Sequence, residues 1–266
     1  MTSFNDLRPF IFSSDRGGSE ALIGFLQFYN IPARGVLLDQ GKIVADELNY
    51  KLTRTVRTIN SFLYTTGFEN NRTFKLLTKF KNENIPTYCF LDSPQNLSIR
   101  FLENGSTYFP DYIFVHDKEI KDNLNSINYK GRILNCENYY IRYLRKNFRN
   151  IKSKKKTAII LSDPFDTEDY KSNSFNEKEL EVFNKLFEHL RKLNYDHIVF
   201  RLHPSDNIRK FNSIPFKKYV ELDKSSSIAH ALQDVTLAVG HSTHALKIAE
   251  QLGICCSSFK QILSFE

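Results

Sequence analysis

The residues His203 and Pro204 stand at the end of an apolar run in "DHIVFRLHPSD", residues 196–206, with Arg201 just before them. Proline restricts the backbone locally, which would hold the imidazole in one direction. Imidazole and guanidinium groups both donate hydrogen bonds to anions. The stretch therefore indicates a site for an anionic group, with a structural histidine at a strand end as the alternative.

A second stretch of this kind is "LAVGHSTHALKIAEQLG", residues 237–253. An apolar run ends at Gly240, His241 follows, and a helical pattern begins directly after Ser242 and Thr243. Either hydroxyl residue is a good N-cap, and the free N–H groups of a helix N-terminus bind anions such as phosphate. Plain helix capping without a ligand is the alternative.

His241 and His244 have the i, i+3 spacing of two metal ligands. A protein metal site needs a third ligand, and the sequence offers none nearby. We therefore predict no metal here and treat both histidines as hydrogen-bond donors to an anion.

Short β-branched or aromatic runs alternate with helical patterns along the chain. The predicted strands are 8–14, 35–39, 61–66, 85–92, 112–117, 131–136, 156–164, 196–204, 218–223, 235–240 and 254–259. The predicted helices include 19–30, 118–126, 176–193, 227–234 and 242–252. Such alternation is typical of parallel sheets covered by helices, in which ligands bind at the carboxyl ends of the strands.

The pattern is interrupted once, which predicts two α/β domains. Residues 1–145 form the first Rossmann-like domain, residues 146–156 a basic linker, and residues 157–266 the second domain.

The positive charge is concentrated in residues 139–156, which hold eight lysine or arginine residues and no acidic residue. Without these eight residues the net charge of +7 would become −1. Such a stretch attracts anionic surfaces, so it suggests peripheral contact with phospholipid headgroups or with an acidic glycan. A solvated linker is the alternative. No nucleic-acid-binding motif accompanies the stretch, so we predict no nucleic acid partner.

The apolar runs, the N-terminal residues and the cysteines bear on the location of the protein. No apolar run approaches the roughly 18 residues of a membrane span, and the N-terminal residues lack the pattern of a secretory signal. The four cysteines form no CxxC pair, which favours reduced thiols. We expect a cytoplasmic protein, with peripheral membrane contact at the inner face through the basic stretch.

Two segments carry a resemblance to a known family: "RLHPSD" at 201–206 and "SSSIAHALQDVTLAVGHSTHALKIAEQLGI" at 225–254. They resemble the C-terminal domain of glycosyltransferases with the GT-B fold. The likeness is greatest to bacterial sialyltransferases and capsule-type transferases that use CMP-activated sugars. It covers residues 156–255 well and the first half only in general layout. The resemblance implies two Rossmann-like domains that face each other across a cleft.

The resemblance also implies roles for site residues. His203 would stabilise the donor phosphate as the nucleotide leaves or act as its general acid, and Ser242 and Thr243 would hold the phosphate. Arg201, Pro204, Gly240 and His241 would complete this binding region. The metal-binding D-x-D triplet of the other large transferase class occurs nowhere in the chain. We therefore expect no cofactor and no metal, only the nucleotide-sugar donor.

An inverting transfer needs a base for the acceptor hydroxyl. Asp15 lies just past the first predicted strand, before two glycines and a helix, in the loop where several GT-B enzymes have their base. Asp92 is the rival, because it occupies a strand end like that of the sialyltransferase acidic motif. Ser93 and Pro94 replace the second acid and the glycine of that motif. A helix cap or a turn is the structural alternative for either aspartate.

The resemblance, together with these residues, implies an inverting, metal-independent glycosyltransferase. It would move a sugar, sialic-acid-like or another nonulosonate or Kdo, from a CMP donor to a bacterial capsule or lipooligosaccharide glycan. One alternative is a UDP-sugar epimerase or hydrolase with the same architecture. Another is a non-catalytic protein that binds nucleotide sugars.

Overall fold

The computed structural model describes residues 4–66, 70–93, 96–116, 118–148, 155–162, 172–204, 206–225, 227–241 and 244–263. The chain divides into two compact units, residues 1–143 and 144–266. This division falls two residues before the predicted end of the first domain.

The first unit contains a six-stranded parallel sheet and a short antiparallel hairpin. Its strands are β1 (Pro9–Ser13), β2 (Arg34–Leu37), β3 (Ser61–Thr65), β4 (Thr87–Phe90), β5 (Leu102–Glu103), β6 (Ser106–Thr107), β7 (Tyr112–Val115) and β8 (Arg132–Asn135). Its helices are α1 (Arg16–Phe28), α2 (Asp39–Glu47), α3 (Asn70–Asn82), α4 (Leu97–Arg100) and α5 (Lys118–Ser126), and α6 (Tyr139–Asn147) extends past the division. The sheet order is β2-β1-β3-β4-β7-β8, and β5 pairs with β6.

Aromatic residues fill the core of this unit. All five residues of β3 are buried, and the ring of Phe62 stacks on those of Tyr64 and Phe80. Phe90 and Phe114 stack in the same way across β4 and β7. Burial on both faces explains the continuous apolar runs that the sequence shows for these strands.

The second unit contains a five-stranded parallel sheet. Its strands are β9 (Thr157–Leu161), β10 (His197–Arg201), β11 (Glu221–Leu222), β12 (Leu237–Gly240) and β13 (Cys255–Ser258), in the order β11-β10-β9-β12-β13. Its helices are α7 (Glu177–Lys192), α8 (Ile228–Ala231), α9 (His244–Gln251) and α10 (Phe259–Leu263). A separate core forms between the sheet and α7, where Phe183 packs edge-on against Phe200.

The predicted alternation of strands and helices is confirmed, and every strand expected from the sequence is present. The β5–β6 hairpin was not expected. Helix α1 begins at Arg16 and not at residue 19, because Asp15 caps it. All four cysteines lie among the described residues and are free thiols.

The first half of the basic stretch 139–156 is helical, so the predicted linker 146–156 begins inside a helix. Helix α6 occupies 139–147, so it includes the first two residues of the predicted linker. Tyr140, Ile141 and Leu144 are buried, so one side of the helix is apolar and packed against the protein. The charged residues of the helix lie on its exposed side. Residues 149–154 lie outside the described part.

In the part of the chain that the structure describes, no helix has both the length and the hydrophobicity of a membrane span.

Candidate functional site

The strand order of the first sheet changes direction between β1 and β3. Open α/β sheets bind ligands outside the carboxyl ends of the strands at such a point. Ser13 ends β1 and Thr65 ends β3, and their hydroxyl oxygens lie 2.9 Å apart. The Ser13 hydroxyl also lies 2.6 Å from the hydroxyl of Ser19 in α1. A buried chain of hydroxyl groups therefore underlies this point of the sheet.

Asp15 lies at the same point, as the N-cap of α1. Its Oδ2 accepts a hydrogen bond from the Gly18 amide at 2.7 Å, and its Oδ1 accepts one from the Thr65 hydroxyl at 2.5 Å. Burial is the main cause that raises the pKa of Asp15 to about 6, and the negative charge of Asp92 adds to it. The two hydrogen bonds and the Arg100 charge act in the opposite direction. A carboxyl group with this pKa exchanges its proton near neutral pH.

Asp92, the rival candidate, belongs to the same site. The Arg100 guanidinium in α4 donates a hydrogen bond from Nη1 to Asp92 Oδ1 at 2.9 Å, and both side chains are largely buried. A Cβ atom on Gly17 would lie only 2.1 Å from Asp92 Oδ2. The glycine therefore lets this carboxylate lie against the first turn of α1. The structure brings both candidate aspartates together.

Two adjacent carboxyl groups in a partly buried place do not ionise independently. Arg100 offsets the charge of Asp92, while burial favours the protonated form of Asp15. Such a pair can accept one proton and release it again, as acid–base catalysis requires.

The second sheet has its own change of direction, between β9 and β12. Leu161, the last residue of β9, is paired with Arg201 of β10 on one side and with Gly240 of β12 on the other. His203 and His241 follow these two neighbours. Because adjacent strands are about 4.8 Å apart, the chain leaves β10 and β12 at points roughly 10 Å from each other.

His203 is half-buried, and its backbone N–H donates to the Ser162 hydroxyl at 2.9 Å and to Asp206 Oδ2 at 3.2 Å. Burial is the main cause that lowers the pKa of His203 from 6.5. The Lys210 charge also lowers it, while Asp206 opposes the shift. The lowered pKa favours the neutral form of the imidazole. Of the two roles predicted for His203, donation of a hydrogen bond by the neutral ring agrees better with this lowered pKa than proton donation by an imidazolium does.

Arg201 and Pro204, the other two candidates in this stretch, lie in different surroundings. The Arg201 guanidinium is ion-paired with Asp223 and also donates to the Ser225 hydroxyl at 3.1 Å. It is therefore held at the β11 side of the sheet. Pro204 is exposed.

At the end of β12, Gly240 is buried, and a Cβ atom there would lie 3.3 Å from Leu161 Cβ. The His241 ring lies edge-on to Phe259, with 6.5 Å between ring centroids. Ser242 and Thr243 fall outside the described residues, and α9 begins directly after them. Their role stays a prediction.

The sequence analysis missed three residues that contact the candidates, Thr65, Arg100 and Asp206, and a fourth, Lys210, that contacts Asp206. Thr65 and Asp206 carried a usable signal, because each is a polar residue just past or at the end of an apolar strand. Arg100 and Lys210 reach their aspartates from a short helix and a 3-10 turn, which no local pattern indicated.

Comparisons with known proteins show which solved structures have a similar fold. No family model matches the chain, and no curated protein does. The chain resembles the crystal structure of UDP-GlcNAc 2-epimerase from Neisseria meningitidis bound to UDP-GlcNAc, with a TM-score of 0.64 and 12% identity over 95% of this chain and 82% of that one. It also resembles the enzyme of that name from Methanocaldococcus jannaschii, with a TM-score of 0.61 and 13% identity over 95% and 83% of the two chains.

A third structure, a putative UDP-N-acetylglucosamine 2-epimerase from Listeria monocytogenes, gives a TM-score of 0.63 and 10% identity over 95% and 79%. Identities this low define the fold alone. The predicted fold class, α/β with two Rossmann-like domains of the GT-B type, is confirmed.

Proposed function

We propose that the chain is an enzyme that acts on nucleotide sugars, with the second unit binding the nucleotide and the first unit transferring a proton. The observation that carries the proposal is the pairing of Asp15 and Asp92, where the pKa of Asp15 is raised to about 6. Burying two carboxyl groups side by side costs free energy, and binding a nucleotide sugar does not require such a pair. Carboxyl groups with raised pKa values are typical of catalytic sites.

For the reaction we propose inverting glycosyl transfer without a metal. An acceptor hydroxyl attacks the anomeric carbon, the carboxylate pair takes the hydroxyl proton, and the bond from that carbon to the phosphate oxygen breaks. The nucleotide leaves with the bonding electrons, and its phosphate charge is met by the His203 imidazole and the N-terminus of α9. The support is the half-buried position of His203, the lowered pKa of its imidazole, and its place after β10, the neighbour of β9 at the switch point of the second sheet.

The sequence motifs favour a CMP-linked donor, with a sialic-acid-like sugar, another nonulosonate or Kdo, and a capsule or lipooligosaccharide acceptor. The exposed Arg142, Arg145 and Lys146 of α6 extend this proposal to an acidic glycan or an anionic membrane. Sedimentation with phosphatidylserine vesicles, compared with phosphatidylcholine vesicles, tests the membrane contact. Equal sedimentation with both lipids would overturn it.

A UDP-sugar 2-epimerase or hydrolase is the second candidate. It is favoured by the likeness to three structures of that name along 95% of the chain. Removal and return of a proton at the sugar C2 also needs acid–base groups, which the Asp15–Asp92 pair could supply.

One experiment separates the two candidates. The protein is incubated in D₂O with CMP-N-acetylneuraminic acid, CMP-Kdo or UDP-GlcNAc, with and without an oligosaccharide acceptor, and the products are followed by NMR and mass spectrometry. A transferase releases CMP in proportion to a new glycosidic product. An epimerase consumes UDP-GlcNAc without an acceptor and incorporates deuterium at C2. Binding of a nucleotide sugar without any turnover would contradict both.

A further inference from the structure

A buried ion pair lies beneath the His203–Pro204 turn. Lys210 Nζ donates to Asp206 Oδ1 at 2.8 Å, and both side chains are 0% exposed. Lys210 belongs to a 3-10 stretch, Ile208–Ser213, and its ammonium lies 5.3 Å from the centre of the Phe175 ring. Charges without any contact with water are rare in proteins.

The second oxygen of Asp206 connects this pair to the turn. Asp206 Oδ2 accepts from the Ser162 hydroxyl at 3.1 Å and from the His203 backbone N–H at 3.2 Å. The Asp206 N–H in turn donates to the His203 carbonyl at 2.9 Å. The end of β9, the turn and the 3-10 stretch are thereby joined through one carboxylate.

Stability alone does not account for this arrangement. Replacing a buried ion pair by neutral side chains of similar volume is often neutral or stabilising, because both charges must be removed from water. What the charged pair adds here is a fixed geometry: Lys210 holds one oxygen of Asp206, which leaves the other oxygen to the Ser162 hydroxyl and to the His203 N–H just before Pro204.

We propose that Lys210 and Asp206 are positioning residues that fix the His203 backbone, and through it the imidazole, for the phosphate of a bound nucleotide. This inference rests on the proposed function of the second unit. Neither residue needs to touch the ligand. Their contribution is a turn already ordered before binding, which spares the nucleotide the cost of ordering it.

The test uses the full-length double variant Lys210→Met/Asp206→Asn, which removes both charges and keeps the volume, so that folding survives. Ser213→Ala is the matched control. Its hydroxyl lies in the same 3-10 stretch but bonds elsewhere: it donates to the Lys210 carbonyl and accepts from the Phe175 N–H. For each protein we measure the stability, the hydrogen exchange of the His203 amide and the Kd of CMP and UDP.

We expect the double variant to exchange its His203 amide at least about tenfold faster than the wild type, relative to the amides of β9. The nucleotide Kd should rise by about tenfold, because binding must then order the turn. The control should change neither value. An unchanged His203 exchange rate, an unchanged Kd, or an equal rise of Kd in the control would each overturn the positioning role.

Failure of the proposed function gives a different result. If neither CMP nor UDP binds the wild type, the nucleotide assignment is wrong, and with it the phosphate in the present inference. The exchange rate of the His203 amide would then report only whether the ion pair orders the turn.

Discussion

Neighbouring groups set the pKa of Asp15 and the position of the Asp92 carboxylate. Asp15 has two hydrogen-bond donors that stabilise its charged form, yet burial and the neighbouring carboxylate outweigh them and raise its pKa to about 6. Arg100 holds Asp92 in place. The question of which aspartate is the base therefore becomes a question about a pair with coupled titration.

The first prediction concerns this coupling. Asp92→Asn removes a negative charge that raises the pKa of Asp15, so the Asp15 pKa should fall below its present value of about 6. The carboxyl carbon of Asp15, followed by ¹³C NMR during a pH titration, measures it. The acidic limb of kcat/KM should move to lower pH in the same variant.

Asp122→Asn, at an exposed position of α5, serves as the control and should leave the Asp15 titration unchanged. A constant Asp15 pKa in Asp92→Asn would rule out the coupling. Complete loss of turnover with a lowered Asp15 pKa would identify Asp92 as the base.

The second prediction concerns His203. His203→Ala should lower the turnover of the nucleotide sugar by about 10²–10³-fold, the usual cost of removing one preorganised donor to a developing negative charge. Folding should survive, because the side chain is only half-buried. Steady-state kinetics and thermal denaturation of the same preparation check both parts. Near-normal turnover would remove His203 from the mechanism.

At the scale of elements, the N-terminus of α1 depends on a close approach. Asp92 Oδ2 occupies the space that a Gly17 side chain would fill. A similar approach occurs at Gly18, where a Cβ atom would lie 2.6 Å from Thr65 Cβ. Two successive glycines thus allow the helix start, the β3 end and the β4 end to meet.

The third prediction follows from Gly17. An alanine inside a helix is normally favourable by about 1 kcal/mol relative to glycine. Gly17→Ala should instead destabilise the fold by about 1–3 kcal/mol, because the new methyl group must displace the Asp92 carboxylate. Urea denaturation measures the free energy of unfolding.

A double-mutant cycle supplies the control for this prediction. In an Asp92→Ala background the carboxylate is gone and only the Cβ of residue 92 remains, 2.9 Å from the new methyl group, so Gly17→Ala should cost much less there. An equal loss in both backgrounds would show that the carboxylate is not the cause.

The fourth prediction concerns the docking of α6 on α1. A Cβ atom on Gly24 would lie 2.6 Å from the backbone nitrogen of Tyr140. Gly24→Ala should therefore loosen α6, and hydrogen exchange of residues 140–144 should accelerate more than that of β3. Unchanged exchange in this helix would show that the glycine is not required for its packing.

At the scale of the whole molecule, each unit has its own parallel sheet and its own core. In both units the candidate residues follow the carboxyl ends of strands: Asp15 and His241 lie at the change in strand order, and Asp92 and His203 lie one strand away from it. Each unit therefore has its own candidate binding position, as we propose when we assign nucleotide binding to the second unit and proton transfer to the first.

The fifth prediction uses this division. CMP at a hundredfold excess over its Kd should stabilise the protein by about 2.7 kcal/mol. Hydrogen exchange should slow in the second unit, at the residues that follow β9, β10 and β12. Stabilisation by UDP with no effect of CMP would favour the epimerase candidate over the transferase. Protection confined to the first unit would contradict the nucleotide assignment.

The sequence by itself determined the strands, their parallel arrangement and the existence of two α/β units, because alternating apolar runs and helical periods are local signals. It also located His203, Asp15 and Asp92 at strand ends. It did not predict helix α6, and it began the linker at residue 146, inside that helix, because a count of charges does not show which side of a helix is buried.

Only the tertiary structure decided that Asp15 and Asp92 lie together at the N-terminus of α1 and that Lys210 is buried on Asp206. Contacts of this kind depend on strand order and on glycines that admit a neighbour from a distant part of the chain. The physical reason is that the pKa of a carboxyl group depends on the charges and the solvent within a few ångströms of it, and residues remote in sequence supply these here.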